Sequence, residues 1–297
     1  MVRIKRIIVA TDFSLRAALA VRRAALLAAQ HGAELHLLHV IDTFYLGMLR
    51  QLAPMEPIAE EQRLLRWAGS ELARRAEQLR AEHGVDSQCH VATGHAHEEI
   101  NRHAESLQAD MIVIGAQGEN FIREIFFGST TMKSLFKGQR PTLAVRTKAT
   151  EAYQQVLVPT NFSPSSHQAL LMALKVAPKA AISLLHVCEM PSPENMRTAG
   201  IDESSIQAYR TKTLDDAQAT MSGIIADCGV ERDDVEIVVE FGYPPAVIKE
   251  KAQSFGADLL VIGKGGKAGH QEVLLSSVAK HVMYETEGDI LLVDAGR

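Results

Sequence analysis

The sequence has few cysteines and no long apolar run. Its three cysteines, Cys89, Cys188 and Cys228, form no Cys-x-x-Cys pair, which argues against a disulfide framework, a zinc knuckle and a dithiol redox centre. No stretch approaches the roughly 20 apolar residues that a membrane-spanning helix needs. The apolar run Ile7–Ala10 is too short for the core of a signal peptide. These absences predict a soluble, cytoplasmic protein without a membrane partner.

The sequence also lacks an excess of positive charge. Its 297 residues carry a formal net charge of -5 at pH 7, so there is no surplus of lysine and arginine to release counterions from a nucleic-acid backbone. Nucleic acid is therefore not an expected partner. Gly-x-Ser-x-Gly elbows, Walker lysine motifs and kinase catalytic loops are absent from the sequence as well. We assign no catalytic residue, and the question of enzymatic activity stays open.

The two halves of the sequence repeat one another. Three segments of the first half recur in the second at a nearly constant offset, which indicates a duplicated domain. We therefore predict one domain over residues 1–148 and another over 153–297, joined by a short polar stretch. The matching pairs are Arg6–Ser14 with Gln155–Ser163, Leu37–Val40 with Leu184–Val187, and Ala109–Gly115 with Ala257–Gly263.

Each half alternates short apolar runs with longer amphipathic stretches. Ile7–Ala10 has the length of a strand, for example, and the following Leu15–Gln30 has the length and pattern of a helix. This alternation is typical of α/β proteins in which helices cover both faces of a parallel sheet. The sequence thus predicts two tandem, doubly wound domains.

The most informative segment is a glycine turn that follows a strong apolar strand. Gly115 and Gly118 are followed after nine residues by Gly128, Ser129 and Thr130. Glycine lets backbone amides approach a phosphate, and the hydroxyls and free amides at a helix start favour an anion. Three glycines alone would also suit ordinary turns. Their position after a strand favours a phosphate site, because ligands of open parallel sheets bind beyond the carboxyl ends of the strands.

A second polar cluster, Thr11 and Asp12, follows the first strand and is expected at the same sheet edge. Asp12 has two interpretations. It can cap the following helix, or Ser14 can cap the helix and leave Asp12 free to contact a ligand. We favour the ligand contact.

Together these motifs resemble the universal stress protein family in its tandem form. The resemblance rests on VATDFS at residues 9–14, LLHVID at 37–42 and the G-x2-G-x9-G-[S/T] signature, and it covers essentially the whole chain. It implies five-stranded, Rossmann-like domains of the adenine nucleotide α-hydrolase-like type. It also implies bound ATP, ADP or AMP, with Mg²⁺ as a candidate counter-ion. The implied contact residues are Ala10, Thr11 and Asp12 for adenine or ribose, Val40 for the adenine edge, Ile114 and Gly115 under the ribose, and Gln117, Gly118, Gly128, Ser129, Thr130 and Thr131 around the phosphates.

The second half departs from this signature. Asn161 replaces the aspartate, and Ser276 stands where the third glycine should be. A side chain at Ser276 would narrow the approach to a phosphate, although Lys264 and Lys267 could attract anions. We therefore expect nucleotide mainly in the first domain.

Histidines offer two further candidates. His95, Glu99 and His103 could meet around a metal, but a strand-to-helix turn followed by a solvated helix is the favoured interpretation, and no metal site is assigned. His39 and His186 occupy equivalent strand positions in the two halves. Their duplication favours a structural role over catalysis.

The leading hypothesis is a nucleotide-binding regulatory protein of the stress response that acts on an unidentified protein partner. The alternatives are a slow ATPase or self-phosphorylating enzyme and a ligand-free interaction protein. The final strands, Thr142–Val145 and Ile290–Val293, match the strand through which family dimers pair edge to edge. An intramolecular pseudo-dimer is thus expected, with association into a homodimer as a further prediction.

Overall fold

The computed structural model of the protein describes residues 3–43, 46–47, 57–116, 138–191, 193–229, 234–265 and 277–295. Short strands alternate with helices along the chain, which confirms the α/β class. The chain divides into two compact units. The first comprises Met1–Ala152 and Glu287–Leu292, and the second comprises Tyr153–Thr286 and Val293–Arg297. The domain limits expected from the sequence, 1–148 and 153–297, stay a prediction.

The first unit is built on five parallel strands. Its strands are Arg6–Ala10 (β1), Glu34–Asp42 (β2), Ser87–Gly94 (β3), Met111–Gly115 (β4) and Thr142–Val145 (β5). Its helices are Leu15–His31 (α1), Pro57–His83 (α2) and Ala96–Ser106 (α3). The strand order β3-β2-β1-β4-β5 places β1 between β2 and β4. The strand order reverses at β1, as in other doubly wound sheets.

The central strands are buried over nearly their whole length. Ile7, Ile8 and Val9 of β1 have no exposed surface, because helices cover both faces of a parallel sheet. Their burial explains why the sequence shows continuous apolar runs here and not alternation. Ser14 caps the start of helix α1, and Gly32 follows its last residue with a φ of 65°, which suits a residue without a side chain.

The second unit repeats this plan. Its strands are Gln155–Thr160 (β6), Ala181–Cys188 (β7), Val235–Phe241 (β8) and Leu259–Gly263 (β9), in the order β9-β6-β7-β8, all parallel. Its helices are Pro164–Val176 (α4), Pro193–Thr198 (α5), Glu203–Asp227 (α6), Pro244–Phe255 (α7) and Ser277–Glu285 (α8). Among the described helices, none has the length and apolar character needed to cross a membrane.

The last strand, Asp289–Val293 (β10), pairs with the first unit. It runs antiparallel to β5, with Ile290 opposite Ala144 and Leu292 opposite Thr142. The segment Glu287–Leu292 accordingly belongs to the first unit. The two strands that the sequence predicted to pair thus do so within one chain, while association of two chains stays a prediction.

Candidate functional site

The chain turns sharply where β1 ends. Phe13 adopts a φ of 66°, a left-handed conformation that is uncommon for a bulky side chain. Two bonds hold this turn: Phe13 N donates to Thr11 Oγ1 at 3.1 Å, and Ser14 N donates to Asp12 Oδ1 at 3.0 Å. Ser14 caps α1, as predicted, by accepting from Ala17 N at 3.1 Å. Asp12 is exposed, but one of its carboxylate oxygens is engaged in the turn and is not free as the sequence had suggested.

The second unit contains the same turn after β6. Phe162 has a φ of 63°, and its backbone N donates to Thr160 Oγ1 at 3.1 Å. Ser163 N donates to Asn161 Oδ1 at 3.1 Å. Because the asparagine oxygen accepts the same bond as the carboxylate of Asp12, the replacement preserves the turn. It removes a negative charge and adds a side-chain amide that can donate.

A stacked histidine supports each turn. The rings of His39 and Phe13 stack with centroids 4.3 Å apart, and those of His186 and Phe162 stack at 4.1 Å. His39 Nδ1 lies 2.8 Å from the carbonyl oxygen of Thr11, and His186 Nδ1 makes the equivalent contact to the second unit's turn at 2.9 Å. Both contacts require the Nδ1–H form. The duplicated histidines therefore have the structural role that their repetition indicated.

The electrostatic setting of His39 agrees with that role. Burial lowers the pKa of His39 below its ordinary value, although the bond to the Thr11 carbonyl and the nearby charge of Asp12 act in the opposite direction. The lowered pKa favours the neutral form of the ring. A neutral ring with its proton on Nδ1 is suited to hold the turn.

The first glycine of the signature is explained by helix packing. A side-chain carbon added at Gly115 would lie 3.1 Å from the backbone oxygen of Arg16, in the first turn of α1. At Gly263 the equivalent carbon would lie 2.6 Å from the backbone carbon of Ser165, at the start of α4. The sequence had explained the first of these glycines by access to phosphate. Packing against the helix starts gives a second reason, because an added carbon would be crowded at Gly115 and could not fit at Gly263 unless the helix backbone moved.

The structure describes half of the predicted nucleotide-contact residues. Because β1 lies between β2 and β4, their carboxyl ends meet at one edge of the sheet. Thr11 N bonds to the carbonyl oxygen of Leu38 on β2 at 2.9 Å, which ties the turn to that edge. The residues brought to this edge are Ala10, Thr11, Asp12, Val40, Ile114 and Gly115. Outside the described residues lie Gln117, Gly118, Gly128, Ser129, Thr130 and Thr131.

The second unit contains a well-formed cavity at its equivalent edge. Its volume is about 470 Å³, and its lining joins the ends of β6, β7 and β9 to helices α6, α7 and α8. Thr160 and Asn161 line it from the turn, and Glu189 from the end of β7. Sequence reasoning did not single out Glu189, although it follows β7 as Asp42 ends β2. No sequence motif marks Thr213, because it lies on α6, far in sequence from the strand ends that it meets at the cavity.

Lys264, which the sequence suggested could attract an anion, is buried in the structure. Its side chain has no exposed surface, and it is not among the described residues that line the cavity. Burial lowers the pKa of Lys264 to about 8, against the attraction of Asp294. The attraction of an anion by Lys264, which the sequence suggested, stays a prediction. The other lysine, Lys267, lies outside the described residues.

Two members of the candidate metal set, Glu99 and His103 on α3, are engaged by protein groups. His103 Nδ1 lies 2.8 Å from the backbone oxygen of Glu99, and Arg102 Nε donates to the carboxylate of Glu99 at 3.1 Å. In the described part of the chain, no group of three histidine, cysteine, aspartate or glutamate side chains is arranged to hold a metal ion.

Comparison with solved structures identifies the fold. A universal stress protein from Archaeoglobus fulgidus aligns with a TM-score of 0.66 at 19% identity, covering 98% of both chains. A functionally unknown protein from Pseudomonas aeruginosa aligns with a TM-score of 0.68 at 20% identity, covering 98% of this chain and 92% of the other. At these identities the likeness shows a shared fold and nothing further.

Sequence comparison identifies the family. The chain is 29% identical over 156 residues to universal stress protein MJ0577 of Methanocaldococcus jannaschii, a match that covers 48% of this chain and 94% of the relative. It is 23% identical over 216 residues to the universal stress protein E homolog of Haemophilus influenzae, covering 70% of this chain and 69% of the relative. The model of the universal stress protein family matches twice, at residues 3–146 and 152–294. This chain belongs to the universal stress protein family, in its tandem two-domain form.

Proposed function

We propose that this protein is a nucleotide-binding regulator of the stress response, which holds ATP, ADP or AMP mainly in its first unit. One observation carries the proposal: the polar end of β1 lies between β2 and β4, and β4 runs directly into the glycine signature. This is the point of an open parallel sheet at which ligands bind.

The described residues suit the adenosine part of the nucleotide. The carboxylate of Asp12 is exposed and fixed through Oδ1, so its position is set before a ligand arrives. A carboxylate of this kind accepts hydrogen bonds from ribose hydroxyls. Val40 is half-buried near the end of β2, where its backbone can contact the adenine edge.

In this proposal the glycine signature binds the phosphates. Its glycines, together with the hydroxyls of Ser129 and Thr130, offer the small and polar groups that an anion requires. Magnesium would supply positive charge that offsets the charge of the phosphates. In this proposal nucleotide occupancy changes how the protein interacts with a protein partner, since nothing in the sequence assigns a hydrolytic group.

Binding of labelled ATP to the purified full-length protein tests the proposal. We expect Gly118→Val and Gly128→Val each to weaken binding by about tenfold or more, because a branched side chain would enter the phosphate cradle. Gly223→Val provides a matched control on the exposed surface of α6, where nothing lies within 4 Å of an added side chain. Unchanged affinity in both signature variants would refute the proposal. Acid extraction of the purified protein would identify which nucleotide it carries.

A further inference from the structure

Arg75, on helix α2, contacts the turn that carries Asp12. Its Nη2 donates to the backbone oxygen of Phe13 at 3.0 Å, and its guanidinium carbon lies 5.4 Å from the centre of the Phe13 ring. The first contact is a hydrogen bond from a charged donor, and the second is a cation–π contact. The side chain of Arg75 is only 16% exposed, so water competes little for these contacts. Arg75 therefore contacts both the backbone and the ring of the residue that follows Asp12.

The equivalent turn of the second unit provides a comparison. Phe162 adopts a φ of 63°, close to the 66° of Phe13, and both turns share the threonine hydroxyl, the side-chain oxygen and the stacked histidine described above. In the part of the second unit that the structure describes, however, no side chain donates to the backbone oxygen of Phe162. The arginine contact accordingly distinguishes the turn that contains Asp12 from the turn that contains Asn161.

The bonds at Phe13 and Ser14 act on one peptide unit. Arg75 binds the carbonyl oxygen of Phe13, and the N–H of Ser14 donates to Asp12 Oδ1. Both groups belong to the same planar peptide, so they move together. A rotation of this peptide would move the N–H that holds the Asp12 carboxylate. Because Arg75 opposes that rotation, it keeps the carboxylate in one place before a ligand binds, which reduces the ordering cost of binding.

We propose that Arg75 is a positioning residue of the nucleotide site in the first unit, which acts through the Phe13–Ser14 peptide to fix the carboxylate of Asp12. This inference rests on the proposed function, because it assumes that Asp12 contacts the nucleotide. It adds that a residue on α2, which need not touch the ligand, contributes to affinity. A displacement of α2 would then release the turn and weaken nucleotide binding.

Binding of labelled ATP to full-length variants tests the inference. Arg75→Met keeps the aliphatic part of the side chain and removes its donors and charge, so we expect the Kd for ATP to rise by about fivefold or more. Arg74→Met is the matched control, because Arg74 is the next residue on α2 and pairs with Glu71, as Arg75 does. This control should leave the affinity unchanged. Arg75→Lys retains a charged donor and should recover part of the lost affinity.

A double-mutant cycle with Asp12→Asn separates positioning from a general loss of stability. If Arg75 acts through the Asp12 carboxylate, Arg75→Met should weaken ATP binding much less in the Asp12→Asn background than in wild type. Its effect on the thermal midpoint should be the same in both backgrounds, because asparagine still accepts the turn bond, as Asn161 does in the second unit. Circular dichroism and thermal melts establish that each variant folds.

The outcomes distinguish this inference from the proposed function. Wild-type ATP binding with unchanged affinity in Arg75→Met overturns the inference alone, as does an equal loss of affinity in Arg74→Met or in the Asp12→Asn background. Failure of wild-type protein to bind ATP, ADP or AMP would remove the proposed function, and this inference with it. If Arg75→Met does not fold, Arg75→Gln tests the same contact, since glutamine is a good helix former with a shorter, uncharged side chain.

Discussion

Asp289 Oδ2 lies 3.3 Å from Arg23 Nε, and the two side chains are 0% and 6% exposed. This buried ion pair joins α1 to the segment that begins β10, across 266 positions of sequence. The other oxygen of Asp289 accepts from the backbone nitrogens of Arg146 and Thr147 at 2.8 and 3.0 Å, and from Thr147 Oγ1 at 3.0 Å. A single carboxylate thus connects three separate segments of the first unit.

Asp289→Ala should therefore lower the free energy of unfolding substantially. Removing Asp289 leaves the buried charge of Arg23 without its carboxylate partner, and breaking a buried ion pair in this way costs about 3–5 kcal/mol. Urea denaturation followed by circular dichroism measures the change. Lys249→Gln is the control, because its pair with Glu285 is about two-fifths exposed on both sides and should contribute little. A loss no larger than that of the control would contradict the expectation.

Gly263 and Gly115 lie close to the starts of α4 and α1, and the different distances predict different losses of stability when alanine replaces them. Gly263→Ala should destabilise the protein by about 1–3 kcal/mol, since overpacking forces the backbone of α4 to move. Gly115→Ala should cost less, because its added carbon meets backbone at 3.1 Å and not at 2.6 Å. Gly69→Ala on α2, with nothing within 4 Å, should be neutral or stabilising. Denaturant midpoints of the three variants give the order of their stabilities. A reversed order would reject the packing explanation.

Asp12 has two roles that substitution can separate. Asp12→Asn keeps an oxygen for Ser14 N, as Asn161 does in the second unit, and should leave stability nearly unchanged. Asp12→Ala removes the bond and should cost about 0.5–1.5 kcal/mol. If the charge contacts the nucleotide, both variants should bind ATP more weakly than wild type. Thermal melts and ATP titrations on the same samples distinguish the turn from the ligand contact, and full ATP affinity in Asp12→Asn would exclude a role for the charge.

Acid should weaken the first unit where β2 packs beside β3. His36 Nδ1 lies 3.0 Å from His90 Nε2, between β2 and β3. Burial lowers the pKa of both histidines below 6.5; Glu34 opposes this at His36, while His36 and His103 reinforce it at His90. The unfolded chain therefore binds protons more readily than the native state. Stability is retained above the ordinary histidine pKa and falls as pH decreases through about 6.5.

Urea denaturation at about pH 7.5 and about pH 5.5 measures this loss. The double substitution His36→Gln and His90→Gln should reduce the difference between the two pH values. His281→Gln, at an exposed position on α8, is the control and should leave the difference as in wild type. An equal pH dependence in all three proteins would show that the histidine pair does not carry the effect.

The sequence predicted the elements of the fold because strand burial and helix capping depend on residues that are neighbours in the sequence. Continuous apolar runs identify β1 and β4, and Ser14 identifies the start of α1. The left-handed turn at Phe13 escaped prediction, since its support comes from His39 on another strand. The second unit's cavity escaped as well. Its lining comes from helices such as α6 and α7, whose meeting at one sheet edge is a tertiary property.

The pairing of β10 with β5 also has a consequence during synthesis. Strand β5 leaves the ribosome well before its antiparallel neighbour, which follows about 140 residues later, or roughly 7–30 s at typical rates of translation. Until then its edge is an open template for other chains. The first unit, although it is made first, completes its fold only after nearly all of the second has been translated.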